Sequence, residues 1–122
     1  MKKILLVEDD MMHCALVQDI LEMADYRVQY TDDGREALSI LESESFDLIL
    51  TDINMPKMDG IELLEKIRKT KKPQKVIAMT ADLQPRSGKT FAELGFDGCI
   101  QKPFKVHDFR ERVRFFIDNI KK

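Results

Sequence analysis

The sequence predicts an α/β fold, a three-layer sandwich in which five helices cover both faces of a five-stranded parallel sheet. Short apolar runs alternate along the chain with longer segments whose apolar residues recur every three or four positions. Parallel strands need crossover connections, which are usually helices, so this alternation favours a parallel sheet. The 122 residues suffice for one ordinary core, and we expect a single domain over residues 1–122.

The strand candidates are short, mostly aliphatic runs, each followed within a few residues by Asp, Gly or Pro. They lie at residues 4–7, 27–31, 48–51, 76–80 and 98–102. A wholly apolar run such as 48–51 indicates a strand that is buried on both faces, as in a parallel sheet.

The helix candidates occupy the segments between these strands. They lie at residues 12–24, from 34 onward, from 60 to about 71, within 82–94, and at 106–119. The first is expected to bury Leu16, Ile20 and Met23. Pro85 and Gly88 make the fourth the least regular, so we expect it to begin late. The last is expected to bury a stripe comprising Phe109, Val113, Phe116, Ile117 and Ile120.

The composition argues against several classes of function. Lys and Arg number 20 against 22 Asp and Glu, and this net charge of -2 provides no basic field for nucleic acid or an anionic membrane. The apolar run after Lys3 has four residues, fewer than the roughly 7–15 of a signal peptide. Cys14 and Cys99 form no CxxC pair, so neither a disulfide framework nor a zinc site is indicated. We therefore expect a cytoplasmic protein without a nucleic-acid or membrane partner.

Polar side chains end four of the predicted strands. Glu8 and Asp9 follow the first, Asp52 the third, Thr80 the fourth, and Lys102 ends the fifth. The carboxyl ends of parallel strands meet at one edge, where open α/β sheets bind ligands. Two carboxylates about 4 Å apart repel by roughly 4 kcal/mol at an effective dielectric near 20, so a cation is expected between them. Mg²⁺ suits sparse carboxylates and completes its shell with water and phosphate oxygens, which points to phosphoryl transfer.

These residues, with their neighbours, resemble the receiver domain of bacterial two-component response regulators from Lys3 to about Ile120. The matching motifs are Val7-Glu8-Asp9, Asp52 within Asp-Ile-Asn-Met-Pro-Lys-Met-Asp-Gly, Met79-Thr80-Ala81, and Lys102-Pro103-Phe104. The resemblance implies a flavodoxin-like fold with strand order 2-1-3-4-5. It also implies a signalling module that catalyses only its own phosphorylation and dephosphorylation.

The resemblance further implies roles for single residues. Asp52 would accept a phosphoryl group from a histidine kinase or a His-phosphotransfer protein, with Lys102 neutralising phosphoryl oxygens. Mg²⁺, which Mn²⁺ could replace, would be held by Asp9, Asp52 and the Asn54 carbonyl, and through water by Glu8. Thr80 and Ala81 would be switch residues that respond to phosphorylation, while Asn54 and Asp82 would tune the rate of dephosphorylation. The downstream target is a protein that the sequence does not identify, and we expect a monomer.

One switch position departs from the family pattern. Cys99 stands where many receivers carry a Tyr or Phe that moves inward on activation. We therefore hypothesise that output runs through the loop at residues 81–85. We expect His13 and His107 to be solvated, and Phe115 to lie off the buried stripe that contains Phe116.

Two other functions compete with this interpretation. A Mg²⁺-dependent aspartyl phosphatase would usually carry a second acid two residues after its nucleophile, where this chain has Asn54. An interaction domain that has lost phosphorylation would not be expected to retain the full set of strand-end residues.

Overall fold

A computed structural model describes residues 1–82 and 88–118. Its strands form one parallel sheet in the order β2-β1-β3-β4-β5. Their bounds are β1 Lys3–Val7, β2 Arg27–Thr31, β3 Leu48–Asp52, β4 Val76–Thr80 and β5 Gly98–Gln101. The predicted fold class and strand order are therefore confirmed.

Helices cover both faces of the sheet in the described part of the chain. Their bounds are α1 Met11–Met23, α2 Gly34–Ser43, α3 Gly60–Lys69, α4 Phe91–Leu94 and α5 Val106–Asp118. Side chains of α1 and α5 pack with one face of the central strands, and those of α2, α3 and α4 pack with the other. None of these helices is both long and apolar enough to cross a bilayer.

The buried face of α1 differs from the predicted one. Ile20 is buried as expected, but Leu16 and Met23 are 50% and 79% exposed. The helix instead buries Cys14, Val17 and Leu21 with Ile20. Apolar residues surround α1 on almost all sides, so their spacing alone did not decide which face meets the sheet.

In the described part of the chain, helix α4 begins late, as predicted, and it has four residues. Thr90 caps it with a capping box, in which its hydroxyl accepts from the Glu93 N–H and the Glu93 carboxylate accepts from the Thr90 N–H. The helix ends at Gly95, whose φ of 111° lies in the left-handed region that favours glycine. Pro85 and Ile120, which entered the predictions above, lie outside the described residues.

Aspartate side chains fix where the other helices begin after their strands. Asp10, Asp33 and Asp59 are the N-caps of α1, α2 and α3, and each carboxylate accepts from a backbone N–H of the first turn. Each cap therefore sets the distance between the carboxyl end of a strand and the next helix. These short connections surround the edge of the sheet where the predicted site residues lie.

Candidate functional site

Three carboxylates converge at the carboxyl edge of the sheet. Glu8 and Asp9 follow β1, and Asp52 is the last residue of β3. One carboxylate oxygen from each lies within 4.8 Å of the others. Glu8 is fully buried, Asp9 is half-buried, and the Asp52 side chain is 13% exposed. The structure thus brings together the acids that the sequence placed at one edge.

The Lys102 ammonium lies between two of these carboxylates. Its Nζ is 3.0 Å from Glu8 Oε1 and 3.4 Å from Asp52 Oδ2. The backbone directs it there, because the Lys102 N–H donates to the Thr80 carbonyl at 2.8 Å. The following Lys102–Pro103 peptide bond is cis. One cation therefore partly compensates a cluster that contains three acids.

The electrostatics disfavour a bare Asp52 anion. Burial raises the pKa of Asp52, and the neighbouring Glu8 carboxylate raises it further. The Lys102 ammonium and the Ile53 N–H, which donates to Asp52 Oδ1 at 2.8 Å, act in the opposite direction. Burial and the Glu8 charge therefore outweigh the two contacts that stabilise the Asp52 anion.

The donor set fits a hard divalent cation. Glu8, Asp9 and Asp52 offer oxygen atoms, which Mg²⁺ prefers, with no thiol among the clustered ligand atoms. The exposed residue Asn54 follows in the β3–α3 loop, where its backbone carbonyl could contribute a further oxygen. The residues present therefore suit the Mg²⁺ that the sequence predicted.

The loop after Asp52 is closed tightly onto β3. The Gly60 N–H donates to the Ile53 carbonyl at 2.9 Å, and Met55 and Met58 of the loop have buried side chains. A Cβ at Gly60 would lie 2.4 Å from the Asp52 carbonyl oxygen, a distance that side chains essentially never adopt. The glycine of the Asp52 motif therefore permits a close approach between α3 and the strand end that carries the carboxylate.

Thr80 lies at the end of β4 and is bonded to its own loop. Its hydroxyl donates to the Asp82 carbonyl at 3.0 Å and accepts from the Asp82 N–H at 3.1 Å. Thr80 is buried, whereas Ala81 and Asp82 are exposed. Of the proposed output loop at 81–85, residues 83–85 lie outside the described residues, and the hypothesis about that loop stays a prediction.

Cys99 occupies the predicted position in β5. It is half-buried against the core on the α2, α3 and α4 side of the sheet. Burial raises the pKa of its thiol, although the nearby Arg112 guanidinium acts to lower it. That guanidinium also donates to the Cys99 carbonyl at 2.9 Å. The half-buried side chain therefore packs with this core and has no aromatic ring.

His13 contradicts the expectation that it is solvated. Its Nδ1 lies 2.5 Å from Glu8 Oε1, and its ring centroid lies 5.6 Å from that of Phe104. The Asp10 cap starts α1 directly after β1, and the first turn of the helix carries His13 back over the strand end. Only the short strand-to-helix connection could have indicated this contact from sequence. His107 is exposed, as predicted.

Comparisons with known proteins agree with this geometry. The sequence pattern of the response regulator receiver domain matches residues 4–114. The transcriptional regulatory protein CpxR of Escherichia coli is 39% identical over 114 residues, covering 93% of this chain and 48% of CpxR. The sensor histidine kinase RcsC of the same organism is 30% identical over 119 residues, covering 98% of this chain and 12% of RcsC. The chain thus spans about half the length of CpxR and about an eighth of RcsC.

A solved structure is similar over nearly its whole length. The response regulator TrrA of Thermotoga maritima, in complex with Mg²⁺-BeF, is 33% identical with a TM-score of 0.84. The match covers 95% of this chain and 99% of that one. The likeness therefore extends over nearly the whole of both chains.

Proposed function

The chain belongs to the response regulator receiver domain family, a signalling module of two-component systems, and from this premise we propose that Asp52 is its phosphoacceptor. The observation that carries the proposal is the position of Lys102, whose Nζ lies 3.4 Å from Asp52 Oδ2 and 3.0 Å from Glu8 Oε1. That arrangement sets one cation beside a nucleophile and a second acid. It suits the transfer of a phosphoryl group, in which negative charge must be neutralised.

The proposed reaction is a phosphoryl transfer from a phosphohistidine. An Asp52 carboxylate oxygen attacks phosphorus, the P–N bond breaks, and the histidine nitrogen leaves with the electron pair, which gives an acyl phosphate on Asp52. Asp9, Asp52 and the Asn54 carbonyl would hold Mg²⁺, with Glu8 acting through water, and Mn²⁺ could substitute. The metal, when bound, supplies positive charge to the phosphoryl oxygens. Lys102 is already placed to add a second positive charge.

Thr80 is the proposed switch for the phosphorylated state. Its hydroxyl now engages the backbone of Asp82 on both sides, at 3.0 and 3.1 Å. Donation to a phosphoryl group on Asp52 requires release of the Asp82 carbonyl, so Ala81 and the loop beyond it would change position. Because Cys99 has no aromatic ring that could move on activation, this loop is proposed to be the main output. Asn54 and Asp82 are proposed to set the lifetime of the acyl phosphate.

The proposal includes partners and setting. A sensor histidine kinase or a His-phosphotransfer protein is the proposed donor, supported by the kinship with RcsC and CpxR. The output is a protein–protein contact, and we propose a monomer that makes no direct contact with nucleic acid or membrane. A cytoplasmic location fits the free thiols of Cys14 and Cys99, because reduced cysteines persist in reducing compartments. A single receiver domain is proposed for residues 1–122.

Acetyl phosphate provides the test. With MgCl₂, the wild-type chain should gain one phosphate, seen by intact-protein mass spectrometry, and Asp52→Asn should gain none. Asp19→Asn is the matched control, because Asp19 is an exposed carboxylate in the second half of α1, away from the end of the helix that follows the acidic pair. Phosphate retained in Asp52→Asn would refute the assignment. Steady turnover of unrelated phosphomonoesters would instead support the aspartyl phosphatase, whose expected second acid is replaced by Asn54.

A further inference from the structure

We propose that His13 is a positioning residue for the cation site, holding the Glu8 carboxylate in the orientation that Mg²⁺ binding needs. The inference rests on the proposed function. It assigns a role to the first turn of α1, which that function does not use. It concerns a hydrogen bond to an acid at the site, without direct contact to the cation or the phosphoryl group.

Two donors converge on a single oxygen of Glu8. His13 Nδ1 lies 2.5 Å from Oε1, and Lys102 Nζ lies 3.0 Å from the same atom. A carboxylate oxygen accepts hydrogen bonds, so the proton of the His13 contact is on Nδ1. The other oxygen, Oε2, has a longer contact, 3.4 Å from the Asp10 N–H. A carboxylate offers about four acceptor positions, so Glu8 keeps capacity for a metal-bound water after these contacts.

Aromatic residues that pack in the core hold the His13 ring in place. Its centroid is 5.6 Å from the Phe104 ring, and Phe104 stacks on Phe109 with centroids 4.3 Å apart. Phe109 is fully buried on α5. The imidazole therefore lies between a fixed aromatic pair and Glu8, and its side chain is only 20% exposed. This packing gives the hydrogen bond a defined direction.

Lys102 alone could not hold Glu8 through the reaction. Its ammonium is shared between Glu8 and Asp52, at 3.0 and 3.4 Å. A phosphoryl group on Asp52 would draw the ammonium toward its own oxygens. His13 has no such second anion among its described contacts, so it remains with Glu8 when Lys102 turns away. A fully buried carboxylate that lost both partners would be strongly disfavoured.

The Mg²⁺ affinity of the whole chain, measured by isothermal titration calorimetry with MgCl₂ at one fixed pH, tests the inference. His13→Leu keeps an apolar contact for Phe104 and removes the donor, so its Kd should rise about tenfold, the lower end of the 10–100-fold cost of losing such outer partners. His13→Asn places an amide N–H near the lost Nδ1 and should recover most of the affinity. His107→Leu, at the other histidine, should bind as wild type does.

A kinetic readout separates positioning from general damage. In acetyl phosphate reactions, the Mg²⁺ concentration for half-maximal rate should rise about tenfold in His13→Leu, as the Kd does. The rate at saturating Mg²⁺ should stay within twofold of wild type, because His13 has no contact with Asp52 in the structure. A lower saturating rate at an unchanged half-maximal concentration would overturn the inference. His13→Ala, which also lacks the donor, gives the same comparison if His13→Leu does not fold.

The other outcomes are also decisive. A His13→Leu variant that binds Mg²⁺ as tightly as wild type, or more tightly, overturns the positioning role. It leaves the proposed function intact if Asp52 is still phosphorylated. A wild-type chain that binds Mg²⁺ in a His13-dependent manner but takes no phosphate overturns the proposed function alone. A wild-type chain that binds no Mg²⁺ overturns both.

Discussion

Gly60→Ala should destabilise the protein and slow phosphorylation together. The new Cβ would lie 2.4 Å from the Asp52 carbonyl oxygen and 3.0 Å from Ile53 Cα, which are both backbone atoms. The backbone must therefore move by about 0.6 Å before the first contact reaches even 3.0 Å, in an interior that is close-packed. Overpacking of this kind costs about 1–3 kcal/mol, and the better helix propensity of alanine returns at most ~1 kcal/mol. The expected net loss is about 1–2 kcal/mol.

The same displacement should affect the chemistry, because the crowded carbonyl belongs to Asp52, the proposed nucleophile. A misplacement of 1 Å can cost a reaction about 100-fold, so a shift near 0.6 Å should slow phosphorylation by about tenfold. Urea unfolding followed by circular dichroism gives the free energy. Intact-protein mass spectrometry during reaction with acetyl phosphate and MgCl₂ gives the rate.

Gly34→Ala is a matched control. Gly34 and Gly60 are both buried, and each is the first residue of its helix after an aspartate N-cap. A Cβ at Gly34 would meet the Met58 side chain, with Sδ at 3.0 Å, and a methionine side chain can adjust. Gly34→Ala should therefore change the free energy of unfolding by less than about 1 kcal/mol. Equal stability and equal reactivity of the two variants would rule out backbone crowding at Gly60.

Three further perturbations test the electrostatics and the switch. Lys102→Met removes the ammonium that pairs with the buried Glu8 and should lower the free energy of unfolding by about 3 kcal/mol in urea titrations. Added MgCl₂ should restore part of that loss, and an unchanged free energy would contradict the pairing. Because the folded state raises the pKa of Asp52, wild type should lose stability relative to Asp52→Asn as pH rises above 3.8, the ordinary carboxyl value. The difference should persist at neutral pH without Mg²⁺ and vanish in acid, and unfolding curves across pH would show whether it does. Thr80→Val removes the hydroxyl that bonds Asp82, so the free energy of unfolding should fall by about 1 kcal/mol while the variant still accepts phosphate. The Asp82 amide shift in NMR spectra should no longer respond to phosphorylation, and a retained response would count against the switch.

The fold could be predicted because its main signals are local. Apolar runs of strand length alternate with helical periodicity, and an aspartate precedes most helices. The convergence of Asp52, Thr80 and Lys102 followed from one rule about the carboxyl edge of parallel sheets. None of those inferences required a specific side-chain rotamer or a contact between distant helices.

The sequence did not predict features that depend on which side of an element meets the core. Leu16 and Val17 are equally apolar, so only the packed structure shows that Val17 is buried and Leu16 exposed. His13 was missed because its contact with Glu8 depends on how tightly β1 turns into α1. The capping box of α4 was also missed, although a Thr followed three residues later by Glu was visible in the sequence.

In the proposed switch, the double hydrogen bond between Thr80 and Asp82 limits how completely phosphorylation changes the conformation. Moving an equilibrium from 1:99 to 99:1 needs about 5.5 kcal/mol of difference between two states. A hydrogen bond to a charged phosphoryl group contributes about 1.5–3 kcal/mol, while the neutral bond given up to the Asp82 carbonyl was worth about 0.5–1.5 kcal/mol. The hydroxyl exchange by itself therefore shifts the populations by roughly one order of magnitude. A phosphorylated population would still contain a measurable inactive fraction, and a binding partner that selects the active conformer would complete the response.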